Sequence, residues 1–375
     1  MHAYARRLLV LGVVLGACAP QRGPSFAQAP AAPLPAADPR IAALDEKAPL
    51  WLAEHHVPSV AVAYIRDGRV AWTRVYGEQS AGVPVTEATL YNVASLAKPV
   101  FAETILRLAA AGRLSLDEPL AGFWVDPDVA ADPRHARLTP RIALSHRTGF
   151  PNWRFQAANH VLAFGADPGT TFGYSGEGYE YTRRFAQNKL ATPWEALAEQ
   201  YVFRPLGMTS TAYTRRPWFN GRIALPYLSE GRYGEPSIAD SALASDDLYT
   251  TVGDYAAFVA AVMSRDGLAP AYAAQRDSVH VINEHADTGC DTPGVGSCPR
   301  VGMGLGWEIL QFPGETVRMH TGSDDGEKTM AFYLAERREG VVMLTNGANG
   351  MQVILPMIDL LLPDTRLAEN VRGYH

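Results

Sequence analysis

Residues 95–98 read Ser95-Leu96-Ala97-Lys98, and the stretch through Ala111 sets Phe101, Ile105, Leu106 and Leu108 at helical spacing. The pattern predicts a helix that opens on an S-x-x-K. A spacing of three puts the serine hydroxyl and the lysine amine on one face. The helix start offers unpaired N–H groups and the positive end of the helix dipole, which favour developing negative charge. A serine hydroxyl is a weak nucleophile until a partner takes its proton, and a partly desolvated lysine can fill that role. The chain has four lysines, and only Lys98 has a serine three residues before it. S-x-x-K recurs by chance in chains this long, so its weight depends on its surroundings.

Upstream, Ile41, Leu44, Leu50 and Leu52 predict a helix over 41–55. Ser59 to Ile65 and Val70 to Tyr76 read as two strands joined by an Asp67-Gly68 turn, a hairpin signature. Downstream, residues 114–296 are rich in Pro, Gly and aromatics, with helices expected near Pro193–Val202 and Val252–Met263. Strand character returns at Gly306–Phe312, Thr316–His320, Met330–Leu334 and Gly340–Thr345, and a helix closes the chain from Met351 to Leu362. Strands at both ends around a helical middle predict an α+β fold. One antiparallel sheet flanked by helices draws on both ends of the chain, and the middle forms an inserted, mostly α-helical lobe. The cleft between them is where chemistry is expected.

Two further elements belong to that cleft. Tyr174-Ser175-Gly176 places a phenol in the loop-rich middle. Taken alone it would be a packing aromatic, but beside a cationic lysine a phenol can share or relay the serine's proton. His320-Thr321-Gly322 ends a predicted strand. Thr321 offers a hydroxyl to a substrate carboxylate, Gly322 lets substrate approach the backbone, and the Ser323 N–H can join that of Ser95 as an oxyanion donor.

The order S-x-x-K, Tyr-Ser-x, (Lys/His)-Thr-Gly resembles the penicillin-recognising serine hydrolases: class C β-lactamases, D-alanyl-D-alanine carboxypeptidases and their esterase relatives. Gly112-Arg113-Leu114-Ser115-Leu116-Asp117, Leu144-Ser145-His146-Arg147-Thr148-Gly149, Pro205-Leu206-Gly207-Met208 and Gly304-Leu305-Gly306-Trp307 are similar to further stretches of the same family. The resemblance spans about residues 40–362. It implies a β-lactamase/DD-peptidase-like fold, Ser95 as the acylated nucleophile, Lys98 as its proton partner and Tyr174 as general acid/base. Ser175, Gly176 and the His320–Ser323 strand would line the substrate. Which of Lys98 and Tyr174 takes the first proton stays open, since closely coupled groups titrate as a unit.

Two positions depart from the family pattern. Gly176 stands where the motif usually ends in Asn, whose amide holds the substrate's amide group, and losing that bond weakens recognition by roughly 1–3 kcal/mol if its partner is left unpaired. His320 stands in place of Lys; it still offers a donor, but is mostly neutral above about pH 6.5 and so binds a carboxylate less strongly. Together they tilt the expectation towards ester or non-standard amide substrates, an activity of esterase or D-amino-acid peptidase type. A true β-lactamase or carboxypeptidase is the alternative. A non-catalytic sensor of wall fragments would be expected to lack one of Ser95, Lys98 and Tyr174, and all three are present.

Composition bounds the rest. The 375 residues are 47% hydrophobic and 19% charged, with net charge −6 and no Lys/Arg run, which argues against a nucleic-acid-binding face. No H-E-x-x-H or dense His/Asp cluster announces a metal, and Gly173-Tyr174-Ser175-Gly176-Glu177 fails the G-x-S-x-G elbow at its last position. No cofactor is expected, and the partner is a small ester, amide or peptide substrate.

The N-terminus reads as a targeting segment. Arg6 and Arg7 precede the apolar run Leu8–Leu15, and Leu15-Gly16-Ala17-Cys18 is similar to a bacterial lipobox. The expected organisation is a signal peptide over 1–17, lipidation at Cys18, an Ala/Pro-rich tether over 18–39 and a hydrolase domain over 40–375. A plain signal cut after Ala27 or Ala32 is the alternative. The anchor would be the sole membrane contact, and the place periplasm or cell envelope. There Cys290 and Cys298, separated by the turn-forming Asp-Thr-Pro-Gly-Val-Gly-Ser, are expected to form a disulfide.

Overall fold

A computed structural model of the protein describes residues 38–286 and 298–372. The expectations placed on the signal segment, Cys18 and Cys290 lie outside the described residues.

In chain order the elements are α1 (Pro39–Glu54), β1 (Ser59–Arg66), β2 (Arg69–Ser80), β3 (Val83–Pro84) and β4 (Tyr91–Asn92). A 3₁₀ turn at Ala94–Leu96 leads into α2 (Ala97–Ala110). The lobe contributes α3 (Pro140–Leu144), α4 (Gly176–Leu190), α5 (Trp194–Ala198), β5 (Tyr249–Thr250), α6 (Val252–Ser264) and α7 (Pro270–Arg276). Then come β6 (Val281–Ile282), β7 (Arg300–Met303), β8 (Glu308–Phe312), β9 (Glu315–Asp324), β10 (Glu327–Leu334) and β11 (Glu339–Thr345). Helices α8 (Met351–Leu361) and α9 (Arg366–Val371) follow.

Asp38 caps α1 by accepting the Arg40 N–H, and Pro39 takes the first helical position, where no N–H is needed. The β1–β2 hairpin closes on Asp67 and Gly68, both left-handed (φ 52° and 75°), as a two-residue turn with the right twist requires. Nine strands form one antiparallel sheet in the order β3-β2-β1-β11-β10-β9-β8-β7-β6. Val60 of β1 lies opposite Thr345 of β11, so the two ends of the chain meet inside one sheet, as expected.

Helices cover both faces. Val60, Val62, Met330, Phe332 and Met343 pack with α1, α8 and α9, while Ala61, Ala63, Ala331, Val342 and Leu344 join a second core with α2 and α6. Burial on both sides explains why β1 reads as an unbroken apolar run instead of alternating. Among the described residues no helix is long and apolar enough to cross a membrane.

The largest difference from the sequence reading is α4. Its first turn holds two glycines and its buried face carries Glu177 and Glu180, so the apolar spacing of Tyr179, Thr182 and Ala186 is masked. The strand expected from Gly306 starts at Glu308, because Gly306 (φ 87°) turns the chain against α2. A side chain there would meet Ala102 Cβ at 2.3 Å.

Candidate active site

The turn that carries Ser95 is strained. Ala94 sits at φ 47°, its N–H bonded to Asn92 Oδ1 (2.9 Å), and the first 3₁₀ hydrogen bond runs from Leu96 N–H to Val93 O (3.1 Å). The Ser95 N–H therefore precedes the helical ladder and faces out as a donor. Lys98 lies in the first turn of α2, fully buried. Its Nζ donates to Ser95 Oγ (2.9 Å) and to Ser245 O (3.0 Å). No carboxylate ion-pairs with Lys98 among the described residues, so both of its fixed partners are neutral.

Tyr174 lies beside this pair, its ring centroid 4.9 Å from Lys98 Nζ. The phenol makes no hydrogen bond to Ser95 or Lys98. The ring is held by stacking on buried His146 (centroids 4.4 Å apart), which stacks in turn on Tyr179 (5.0 Å). His146 Nδ1 accepts the Ser175 N–H (3.0 Å), which places its proton on Nε2. Burial, and then the charge of Lys98, push its pKa far down, so the ring is neutral.

Helix α4 assembles these parts. Ser175 caps it, taking the Gly178 N–H (3.0 Å) and donating to Pro151 O (2.8 Å). The expectation that Ser175 lines the substrate is thereby corrected: its buried hydroxyl is committed to the helix end. One turn on, Glu180 Oε1 accepts from Ala244 N, Ser245 N and Ser245 Oγ (2.7, 3.2 and 3.0 Å), fixing the loop whose carbonyl holds Lys98. Tyr179 ties the helix to Leu144 O (3.0 Å).

Gly176 is filled from outside. A Cβ there would lie 2.8 Å from the Trp153 ring, and the Gly176 N–H donates to Asn152 Oδ1 (2.9 Å). Asn152 thus turns its Nδ2 amide away from Gly176, a donor the Gly176 reading alone did not supply.

Strand β9 forms the opposite wall. His320 is buried, its Nδ1–H donating to Thr321 O (2.7 Å), and burial together with Lys98 lowers its pKa to about 3. It is neutral, with Nε2 left as an acceptor; the expectation of a donor here is corrected. Gly322 lies against the turn that carries Ser95, where a Cβ would meet Val93 O and Thr329 Oγ1, each at 2.2 Å.

Strand alternation then puts Thr321 on the far face. It stands opposite Met330 and lines a cavity of about 230 Å³ with Met319 and Met351, so its side chain does not face Ser95. Asp324 opposes Glu327 across the tight Asp325-Gly326 turn, which makes them a hydrogen-bonded pair. The Ser323 N–H consequently points off the other edge of β9, beyond the end of β8. The Ser323 hydroxyl accepts from Lys328 Nζ (2.9 Å).

Ser95, Lys98, Tyr174, His320 and Gly322 thus converge, whereas Ser175 and Thr321 turn elsewhere. His146, Glu180 and Ser245 were given no role by sequence reasoning. Only His146 lay in a quoted motif, and the other two act through a helix that the sequence disguises.

Residues 37–359 match the family model described as Beta-lactamase. The chain belongs to the beta-lactamase family. It is 27% identical to Penicillin-binding protein 4 of Amycolatopsis lactamdurans over 327 residues, which cover 78% of this chain and 82% of that one. It is 32% identical to Esterase EstB of Burkholderia gladioli over 114 residues, 29% of each chain. Its fold is similar to that of the octameric penicillin-binding protein homologue from Pyrococcus abyssi (TM-score 0.75, 21% identity, 89% of this chain and 80% of that one). Like its family, the chain is a serine hydrolase.

Proposed function

We propose that Ser95 is the nucleophile of an acyl-enzyme hydrolase acting on small esters or amides, with Lys98 and Tyr174 managing its proton. The observation that carries this is the 2.9 Å contact between Lys98 Nζ and Ser95 Oγ at a lysine that no carboxylate neutralises. Along that contact Nζ, once unprotonated, takes the hydroxyl proton as Oγ attacks the carbonyl carbon. The Ser95 and Ser323 N–H groups receive the oxyanion. Tyr174 passes a proton to the leaving group, and water then cleaves the ester formed on Ser95.

Substrate preference follows from the rim. Neutral His320 supplies no fixed cation for a substrate carboxylate, and Trp153 occupies the space beside Gly176. Both favour esters, the activity class printed in the esterase relative's name, and unconventional amides. Asn152 favours a second reading: its outward amide can hold a peptide-like acyl group, as a β-lactamase or carboxypeptidase needs. Export belongs to the same proposal, through a signal over 1–17, lipidation at Cys18, a tether to residue 39 ahead of the hydrolase domain, and a Cys290–Cys298 disulfide. The apolar run before Cys18 supports it.

The test is labelling by a fluorophosphonate probe, read by intact mass and peptide mapping. Wild type is expected to gain one adduct on Ser95, and a folded Ser95→Ala variant none. An adduct retained by that variant overturns the assignment. Turnover of nitrocefin, short p-nitrophenyl esters and amino-acid amides then separates the substrate classes.

A further inference from the structure

Two carboxyl groups stand one residue beyond the atoms that build the catalytic centre. Asp246 follows Ser245, whose carbonyl holds Lys98, and Asp324 follows Ser323, the proposed oxyanion donor. The two side chains come from different elements and lie near enough for each charge to act on the other. Asp247 lies behind them, its N–H on Asp246 Oδ1 (2.9 Å) and its carboxylate accepting from Ser237 Oγ (3.2 Å). Glu327, opposite Asp324 on β10, is 4% exposed, and its carboxyl makes neither a hydrogen bond nor an ion pair among the described residues.

None of the four is ion-paired among the described residues. Lys328 turns its Nζ to Ser323 Oγ and to Asp324 O, and Lys98 spends its own on Ser95 and Ser245. Burial and mutual repulsion accordingly raise Asp246 to about 7, Asp247 to about 6 and Glu327 to about 8. The other titratable groups facing them are Tyr249 from β5 and Glu180 from α4, neither of them a cation. By charge alone, without an ion pair, Lys98 acts on Asp246 and Asp324 and Lys328 on Asp324 and Glu327; Arg215 acts on Tyr249, and His320 is neutral.

Buried carboxyls are ordinarily paired, because an unpaired one costs several kcal/mol to ionise away from water. Among the described residues no group of acids and histidines can hold a metal ion. A cationic group on the substrate can supply the paired counter-charge that neither lysine gives, and position says which part of the substrate carries it. An acyl carbon over Ser95 Oγ, held by the Ser323 N–H, lies beside the residue next to Asp324, whose Cα is ~3.8 Å further along the strand. A substituent on the acyl α-carbon reaches the pair.

We propose that the Asp246–Asp324 pair, backed by Glu327, holds a protonated amine on the acyl half of the substrate, so that the chain hydrolyses aminoacyl esters or amides. This rests on the Ser95 reading and names its substrate class. It inverts the polarity expected of a cleft that grips a substrate carboxylate.

The test separates the two. Binding is measured by calorimetry on the full-length Ser95→Ala protein near pH 6, with alaninamide and its neutral isostere lactamide, each enantiomer, in two buffers of different ionisation enthalpy. Alaninamide is expected to bind at least about tenfold more tightly than lactamide. It should also release protons, because carboxyls held neutral by one another ionise when a cation arrives. Raising the salt concentration should shrink the difference, a readout that needs no variant at the acids. In an Asp246→Asn/Asp324→Asn protein the preference and the proton release should both vanish. Alaninamide bound no better than lactamide, absence of binding by either, or a preference that survives both Asn substitutions overturns the proposal. Fluorophosphonate labelling does not depend on the acids. Its failure at Ser95 alongside an intact amine preference would break the catalytic reading and leave this one standing.

Discussion

The two walls of the cleft treat charge in opposite ways. On the helical wall, Lys98 is pinned between a hydroxyl and a carbonyl, and Tyr174 is stacked on a neutral His146. On the wall made by the 244–248 loop and the β9–β10 hairpin, Asp246, Asp324 and Glu327 gather with no ion pair among the described residues. The first wall is saturated and rigid, as a group that must meet a carbonyl within tenths of an ångström has to be. The second is unsaturated, as a surface that recognises charge has to be before its ligand arrives. Bond-making and selection are thus assigned to different elements, joined by Ser245 and Asp246 on one side and by Ser323 and Asp324 on the other.

The largest effects should come from breaking the saturated wall. Lys98→Ala and Tyr174→Phe are each expected to lower kcat by about two to four orders of magnitude with little change in KM, the usual range for an acid–base partner. Steady-state kinetics on an activated ester checks this. A loss confined to KM would move both residues from chemistry to binding.

Gly322→Ala probes the seam between the walls. Its Cβ would meet Val93 O and Thr329 Oγ1, which are hydrogen-bonded to each other at 2.9 Å, so neither can yield without moving the nucleophile's turn. We expect kcat/KM to fall about a hundredfold through misplacement, with overpacking costing roughly 1–3 kcal/mol of stability. Ester kinetics with a thermal melt measures both. Unchanged activity would mean that β9 does not position Ser95.

The unsaturated wall should reveal itself in the pH dependence of stability. Asp246, Asp247 and Glu327 titrate near 7, 6 and 8 in the fold, against about 4 for unfolded Asp and Glu. Between those values the folded chain binds more protons than the unfolded one, so stability falls as pH rises from about 4 through about 8. Melting temperature at low salt should therefore be lower at about pH 8.5 than at about pH 5.5, and Asp246→Asn/Asp324→Asn should narrow the gap by a few degrees. A gap unchanged by the substitutions would show that the carboxyls are solvated.

The same division explains what was legible in the sequence. Ser95 and Lys98 sit within one helical turn, and the sheet follows from strands whose apolar runs are strong at both ends of the chain. Tyr174 could be named because the order of three motifs constrained it. The acid pair was not legible: Asp246 and Asp324 belong to distant segments that meet only after the lobe folds back on the sheet. Helix α4 hid behind its glycines and buried glutamates, and with it went Glu180 and the anchoring of Ser245. Gly176 was read as lacking a side-chain amide, whereas Trp153 fills the space there and Asn152 takes its N–H, both from a loop that sequence spacing could not place. A motif also says nothing of which way a strand faces, and that cost the reading of Thr321.

The smallest expected effect tests that facing. Thr321 stands opposite Met330, which packs with α8 and α9, and its hydroxyl has no hydrogen-bond partner among the described residues. Successive side chains of a strand point to opposite faces, so Gly322 against Val93 and Thr321 against the substrate cannot both hold. Thr321→Val keeps the shape and removes the hydroxyl, and the methionine-lined cavity beside it loses no volume. We expect ester turnover within about twofold of wild type and a melting temperature equal or slightly raised, since an unpaired hydroxyl leaves a largely apolar site. A loss beyond about tenfold, equivalent to about 1.4 kcal/mol of transition-state stabilisation, would mean that the hydroxyl touches substrate. The register of β9, and with it the placement of Asp324 beside Asp246, would then have to shift by one residue.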